Sequence, residues 1–177
     1  MIIFRPMFDR EAAIELARRY DSPADGPALE AGAAIATGDF SQARLRVIFR
    51  WKTGNRGKSR IEKNTKAVVE DALRLAVASK EPQCAIAVLM SLHGVQVPVA
   101  SAIMTAIRPD EYTVIDFRAL EALGAPTEDR SIDFYVKYLA FCREQAREWG
   151  MSLRDFDRAL WQWSKDRSPK ESGHSPP

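Results

Sequence analysis

The chain has 177 residues, 46% hydrophobic and 28% charged, with 26 basic and 24 acidic side chains for a formal charge of +2. That length is one domain's worth, and the balance is that of an ordinary globular protein, which excludes a disordered or fibrous chain and names no partner from net charge alone. Two cysteines, Cys84 and Cys142, exclude a disulfide framework and a four-cysteine zinc or iron–sulfur site; two histidines, His93 and His174, leave no histidine metal cluster, so no cofactor is expected.

The opening Met1-Ile-Ile-Phe-Arg5 lacks the apolar run of a secretory signal. Residues 82–107 carry no Asp, Glu, Lys or Arg, but His93, Gly94, Gln96 and Pro98 interrupt them, so they read as two buried helices around a turn and not as a membrane span. The expected setting is the cytoplasm, with reduced thiols, and the nucleoid if the chain is bacterial.

Twenty-five alanines and a 3.6-residue apolar spacing predict an all-α fold of about eight or nine helices. The first runs from about Asp9 to Tyr20 and is followed by a turn at 21–27. The second spans about 28–37 and stops at Gly38. Ser41 caps the third, with Leu45, Ile48, Phe49 and Lys52 roughly in line, and Thr53–Ser59 reads as a loop. Asn64 opens a long helix to about Ser79, carrying Val68, Val69, Ala72, Leu73 and Ala76 inward. Pro82 suits the first turn of a helix to about 92. His93–Gln96 makes a tight turn, and a partner helix runs from about 97 to 107. An extended link, Tyr112–Ile115, leads to Asp116 and a short helix from Phe117 to Leu123. Ser131 caps a helix ending at Gly150, and Ser152 with Asp155 resembles a capping box for the last, about 153–165. Residues 1–166 are expected to form one helical domain and 167–177 a disordered tail.

Charge is unevenly placed. From Arg44 to Lys66 nine basic residues face the single Glu62, a surplus of eight, while the rest of the chain is net −6. Such a run is either a solvated helix face with a loop or a surface that neutralises phosphates, with Arg50, Lys52, Arg56, Lys58 and Arg60 as its candidates. Gly57-Lys58-Ser59 echoes the end of a nucleotide-binding P-loop, but the pattern needs a glycine where Lys52 stands and a strand before it, so an ATPase is discarded.

Two further features bear on function. The small residues Ser91, Gly94, Ala100, Ser101 and Ala102 let the helices around the 93–96 turn approach closely, and the second presents its N-terminus at that turn, where a phosphate can sit. Asp116 stands where it caps the following helix, or where a carboxylate beside a DNA groove stabilises a cationic sugar. His93 reads as a turn residue and Cys84 as a buried small apolar one. Trp51 and Phe49 read as core anchors or as groups that stack on a base, and Trp161 and Trp163 as core and rim.

The segments Leu92-His-Gly-Val-Gln-Val-Pro-Val-Ala-Ser-Ala-Ile103 and Tyr112-Thr-Val-Ile-Asp-Phe-Arg118 together resemble the helix–hairpin–helix (HhH-GPD) region of the DNA glycosylase superfamily that includes endonuclease III. The specific likeness covers about 82–124. It implies that the hairpin, through Gly94 and Gln96, binds the backbone of double-stranded DNA, and that Asp116 serves base excision. Arg118, two residues on, lies close enough to reach the same strand. Gln96 replaces the hairpin's second glycine. Pro98 stands eighteen residues before Asp116, where strand-cleaving relatives carry a lysine, so no Schiff base forms at that position. The C-terminal cluster cysteines of many relatives are absent. The implied function is a monofunctional DNA-repair N-glycosylase acting on a flipped base. The alternatives are a noncatalytic DNA-binding protein on the same scaffold and an all-α module that binds another protein.

Overall fold

The computed structural model describes residues 4–126 and 130–168. Among these the chain is all-α: α1 (Arg10–Arg19), α2 (Asp25–Ala36), α3 (Gln42–Thr53), α4 (Lys58–Ile61), α5 (Lys66–Ala78), α6 (Pro82–Leu89), α7 (Val97–Ile107), α8 (Phe117–Ala122), α9 (Ile132–Trp149) and α10 (Leu153–Arg167). No helix of the described residues is long and apolar enough to cross a membrane.

The core is built around α7. Its sequence, VPVASAIMTAI, has no polar face, as befits a helix enclosed on all sides, and nine of its eleven residues are buried. α2, α3 and α6 pack on it. Gly32 permits the closest of these approaches: a Cβ there would lie 1.9 Å from the Ala106 carbonyl oxygen. The first and last helices, α1 and α10, pair with each other, and α10 also covers α8 and α9.

Several boundaries are set by short-range chemistry. Asp9, Thr65, Asp116, Ser131 and Ser152 each cap a helix through a side-chain oxygen. At Ser152 the expected box closes differently: Asp155 N–H donates to the serine hydroxyl at 3.0 Å, while that hydroxyl donates to the Asp155 carboxylate at 2.8 Å. The shorter aspartate is met by a side-chain donor instead of a backbone N–H.

Three expectations need correction. The loop at 53–59 contains the start of α4, a single turn that begins after Gly57 and is pinned by buried Ile61; four residues carry no readable period. Val68 was expected inside but is 45% exposed, because Val69, Ala72, Leu73 and Ala76 already fill the inward stripe of α5. Cys84 is exposed, since Ala85, Ile86 and Leu89 face the core from α6; the buried thiol is Cys142. Of the expected tail, 167–177, Arg167 is the last residue of α10 and residues 169–177 lie outside the described residues.

Candidate functional site

Asp116 is held by the stretch before it. The link 112–115 has no regular secondary structure and is buried, so its backbone groups need partners. Ser101 of α7 supplies one: its hydroxyl accepts from Ile115 N–H at 3.1 Å and donates to the Pro98 carbonyl at 2.8 Å. α9 supplies two more, with Tyr135 Oη donating to the Thr113 carbonyl at 3.0 Å and Tyr138 Oη to the Val114 carbonyl at 2.8 Å. Burial pushes both phenols well above their ordinary value, which keeps them as neutral donors. Tyr138→Phe should strand a buried carbonyl and lower stability by about 1–3 kcal/mol. A urea midpoint unchanged from the parent protein would show that this clasp carries no weight.

The Asp116 carboxylate is then engaged at both oxygens. Oδ1 accepts from Ala119 N–H at 3.0 Å, the cap of α8, and Oδ2 accepts from Lys52 Nζ at 3.0 Å. The pair is largely shielded, with side-chain exposures of 23% and 13%. Burial pushes the Asp116 carboxyl upward, but Lys52, the Ala119 N–H and Arg118 outweigh it and hold it below the usual carboxylate range. It is a carboxylate at neutral pH.

Two hollows meet at this pair and share Lys52, Asp116 and Trp161. The outer, about 500 Å³, is walled by Arg56, Pro98, Phe117, Arg118 and Arg130. Arg118 donates to Ser168 Oγ at 2.9 Å and lies 5.5 Å from the Trp161 ring centre. Arg130 Nη1 is buried with no hydrogen-bond partner among the described residues. Phe117 stands at the rim, 54% exposed.

The inner hollow, about 120 Å³, is lined by Tyr20, Trp51, Arg154, Asp157 and Arg158 besides the shared residues. Buried Arg154 lies against the rings of Trp51 (5.3 Å) and Tyr20 (5.6 Å) and pairs with both Asp25 and Asp157. Arg158 binds the other Asp25 oxygen at 2.8 Å. Burial pulls Asp25 upward, yet its two arginines hold it below the ordinary range; at Asp157 burial prevails over Arg154 and the carboxyl is raised.

The expected site residues divide. Lys52, Arg56, Asp116 and Arg118 come together in the outer hollow, with Pro98 on the same wall. Arg50 and Lys58 instead line a separate hollow of about 250 Å³ with Arg46 and Glu62. Residues two apart on a helix diverge by roughly 200°, so the basic run wraps α3 instead of forming one face. Gly94 adopts φ +82°, and a Cβ there would lie 3.0 Å from Arg60 Cβ and 3.1 Å from Ile61 N, so its bareness serves packing on α4. Gln96 is exposed at the N-cap of α7, and Gly94, Gln96 and Arg60 line neither part of the Asp116 cleft. Phe49 is core, whereas Trp51 reaches the inner hollow.

Sequence reasoning passed over several of these positions. Asn64, read as a helix opener, is a buried clasp: it donates to the carbonyls of Ile61 (2.8 Å) and His93 (3.1 Å) and accepts from His93 N–H (2.9 Å), fixing the hairpin turn. Tyr20, Arg130, Arg154 and Asp157 carried no local signal. Among the described residues no three His, Cys, Asp or Glu side chains are placed to hold a metal ion. Neither the family models nor the curated proteins nor the solved structures include a match to this chain.

Proposed function

We propose that the chain is a DNA-repair N-glycosylase that removes a damaged base flipped out of double-stranded DNA. One observation carries the reading: a shielded carboxylate, Asp116, in an outer hollow whose other charged residues, Lys52, Arg56, Arg118 and Arg130, are all cationic. Loss of a base leaves positive charge on the deoxyribose, which a fixed carboxylate in a partly dry site stabilises. The flanking cations take the phosphates on either side, and the orphaned Arg130 Nη1 suits such an oxygen. The inner hollow offers room for one ring, on the scale where a cavity of roughly 150 Å³ admits benzene, with Trp51 and Trp161 on its walls. Phe117 at the rim is the aromatic group placed to fill the gap in the stack. Pro98 gives the hairpin no amine, so base release there runs by addition of water and is monofunctional.

The test is a panel of duplexes, each with one lesion, incubated with the protein and then treated with alkali, which breaks the strand wherever a base has been lost. Alkali-dependent cleavage at one lesion or class of lesion is the expected result. Tight duplex binding with every lesion intact would favour the noncatalytic DNA-binding alternative. Binding should also be salt-dependent, and Arg56→Ala with Arg118→Ala should flatten the salt slope by roughly 0.9 per lost phosphate contact. Arg50→Ala with Lys58→Ala, in the separate hollow, should change it less. A larger effect from the second pair would move the DNA surface across α3.

A further inference from the structure

We propose that the separate hollow between α3 and α4 is a second nucleic-acid site, one that takes an unpaired nucleotide of a single strand. It shares no lining residue with the Asp116 cleft and does not depend on base excision there.

The hollow, about 250 Å³, has a cationic rim over an apolar floor. Arg46 and Arg50 stand one turn apart on α3 and share a face, and Lys58 joins them from the start of α4. All three are exposed, whereas Phe49 and Ile61 are only 3% and 4% exposed and Val47 is half-buried. Glu62 is the one carboxylate among the lining residues, and it lies 3.7 Å from Lys58 Nζ. Among the described residues no carboxylate pairs with Arg46 or Arg50. Like charges at that spacing weaken a helix, and an anion seated between them removes the repulsion.

The turn after α3 completes the rim. Asn55, held at φ +69° between Gly54 and Gly57, lines the hollow, while its neighbour Arg56 lines the outer part of the Asp116 cleft. The Asn55 amide carries both donors and an acceptor, the complement of an unpaired base edge. A ligand matched to all three parts has a flat apolar body, a polar edge and an anion on a flexible link, which is the chemistry of a nucleotide. In a duplex the ring is stacked and paired, so a duplex offers this hollow its phosphates alone. An unpaired strand offers ring, edge and phosphate together. An acidic peptide supplies the anions but no ring for the floor.

The probe is a fluorescein-labelled oligothymidylate of about eight nucleotides, within the span of single-strand sites. It is titrated with the full chain by fluorescence anisotropy, first alone and then with the chain just saturated by a blunt, undamaged duplex. Binding is expected in both cases. Arg46→Ala with Arg50→Ala should weaken it roughly tenfold and flatten its salt slope by roughly 0.7 for each lost contact to a single strand, leaving duplex affinity nearly unchanged. No binding, complete displacement by the duplex, an unaltered affinity in the double variant, or equal competition by polyglutamate of matched charge would each overturn the assignment. Thymidine monophosphate binding as tightly as the oligomer would overturn the strand as occupant. Both arginines are exposed and their removal relieves repulsion, so the variant should keep its urea midpoint. An oligomer carrying 5-iododeoxyuridine, photocrosslinked to the unmodified chain, should attach within 46–62, and an adduct confined to other residues would overturn the site whether or not the variant folds. Lesion excision without oligomer binding would remove this site and leave the glycosylase reading standing; oligomer binding without excision would do the reverse.

Discussion

Asp116→Asn should lower base release from the damaged duplex by on the order of 10²- to 10³-fold, the loss typical of removing one preorganised charge-stabilising group. The amide replaces a full negative charge with a weak dipole facing the developing sugar cation. It also cannot satisfy both present partners as well as the carboxylate does. Its one oxygen can cap Ala119 N–H or receive Lys52, but the –NH₂ opposes whichever donor remains. Stability should therefore fall by about 1–3 kcal/mol even though asparagine caps helices well, and single-turnover excision must be measured where the variant is still folded. Full excision by the folded variant would reduce Asp116 to a helix cap.

The same residue sets a pH expectation. Its carboxyl is held below the ordinary value in the folded protein, so its contribution to stability is complete above about pH 3.9 and is lost as pH falls through the lower folded value. Between pH 5 and 8, excision should show no titration from Asp116. Lys52→Met removes the main opposing charge and leaves burial opposed only by the Ala119 N–H and Arg118, which should carry the acid limb upward. An acid limb at the same pH in that variant would mean that Lys52 does not tune the carboxylate.

Gly32→Ala should be the most destabilising single-methyl change in the core. The added carbon would lie 1.9 Å from the Ala106 oxygen and 2.1 Å from its carbon, both backbone atoms of α7 that cannot swing aside. Accommodating it means lifting α2 from the central helix, at roughly 3 kcal/mol or more, a large part of the 5–15 kcal/mol that typically separates folded from unfolded. Gly26→Ala is the matched control, in the same helix with nothing within 4 Å of the new carbon; helix propensity favours alanine there. Equal urea midpoints for the two variants would refute the close approach of α2 and α7.

What could be read from the chain was what a few neighbouring residues decide. The caps at Asp116, Ser131 and Ser152, the stop at Gly150 and the uncharged pair of helices around Gly94 all follow from contacts within four residues. The inner hollow was not legible, because Tyr20, Trp51, Asp157 and Trp161 meet only after α1, α3 and α10 have packed. The Lys52–Asp116 pair spans 64 residues for the same reason. The basic run misled in a different way: its charge was visible, but the helical rotation that sends Arg50 and Lys52 to different hollows was not.

The position of α10 decides when the cleft can exist. It contributes Arg154, Asp157, Arg158 and Trp161 to the inner hollow, and its end anchors Arg118 through Ser164 and Ser168. A chain emerging from the ribosome in order makes α10 last, after the nine other helices of the described residues. Until α10 docks, the inner hollow lacks four of its lining residues. The inner hollow therefore waits on the last helix, so a product truncated before Leu153 would lack four of the residues that line it and the two serines that anchor Arg118.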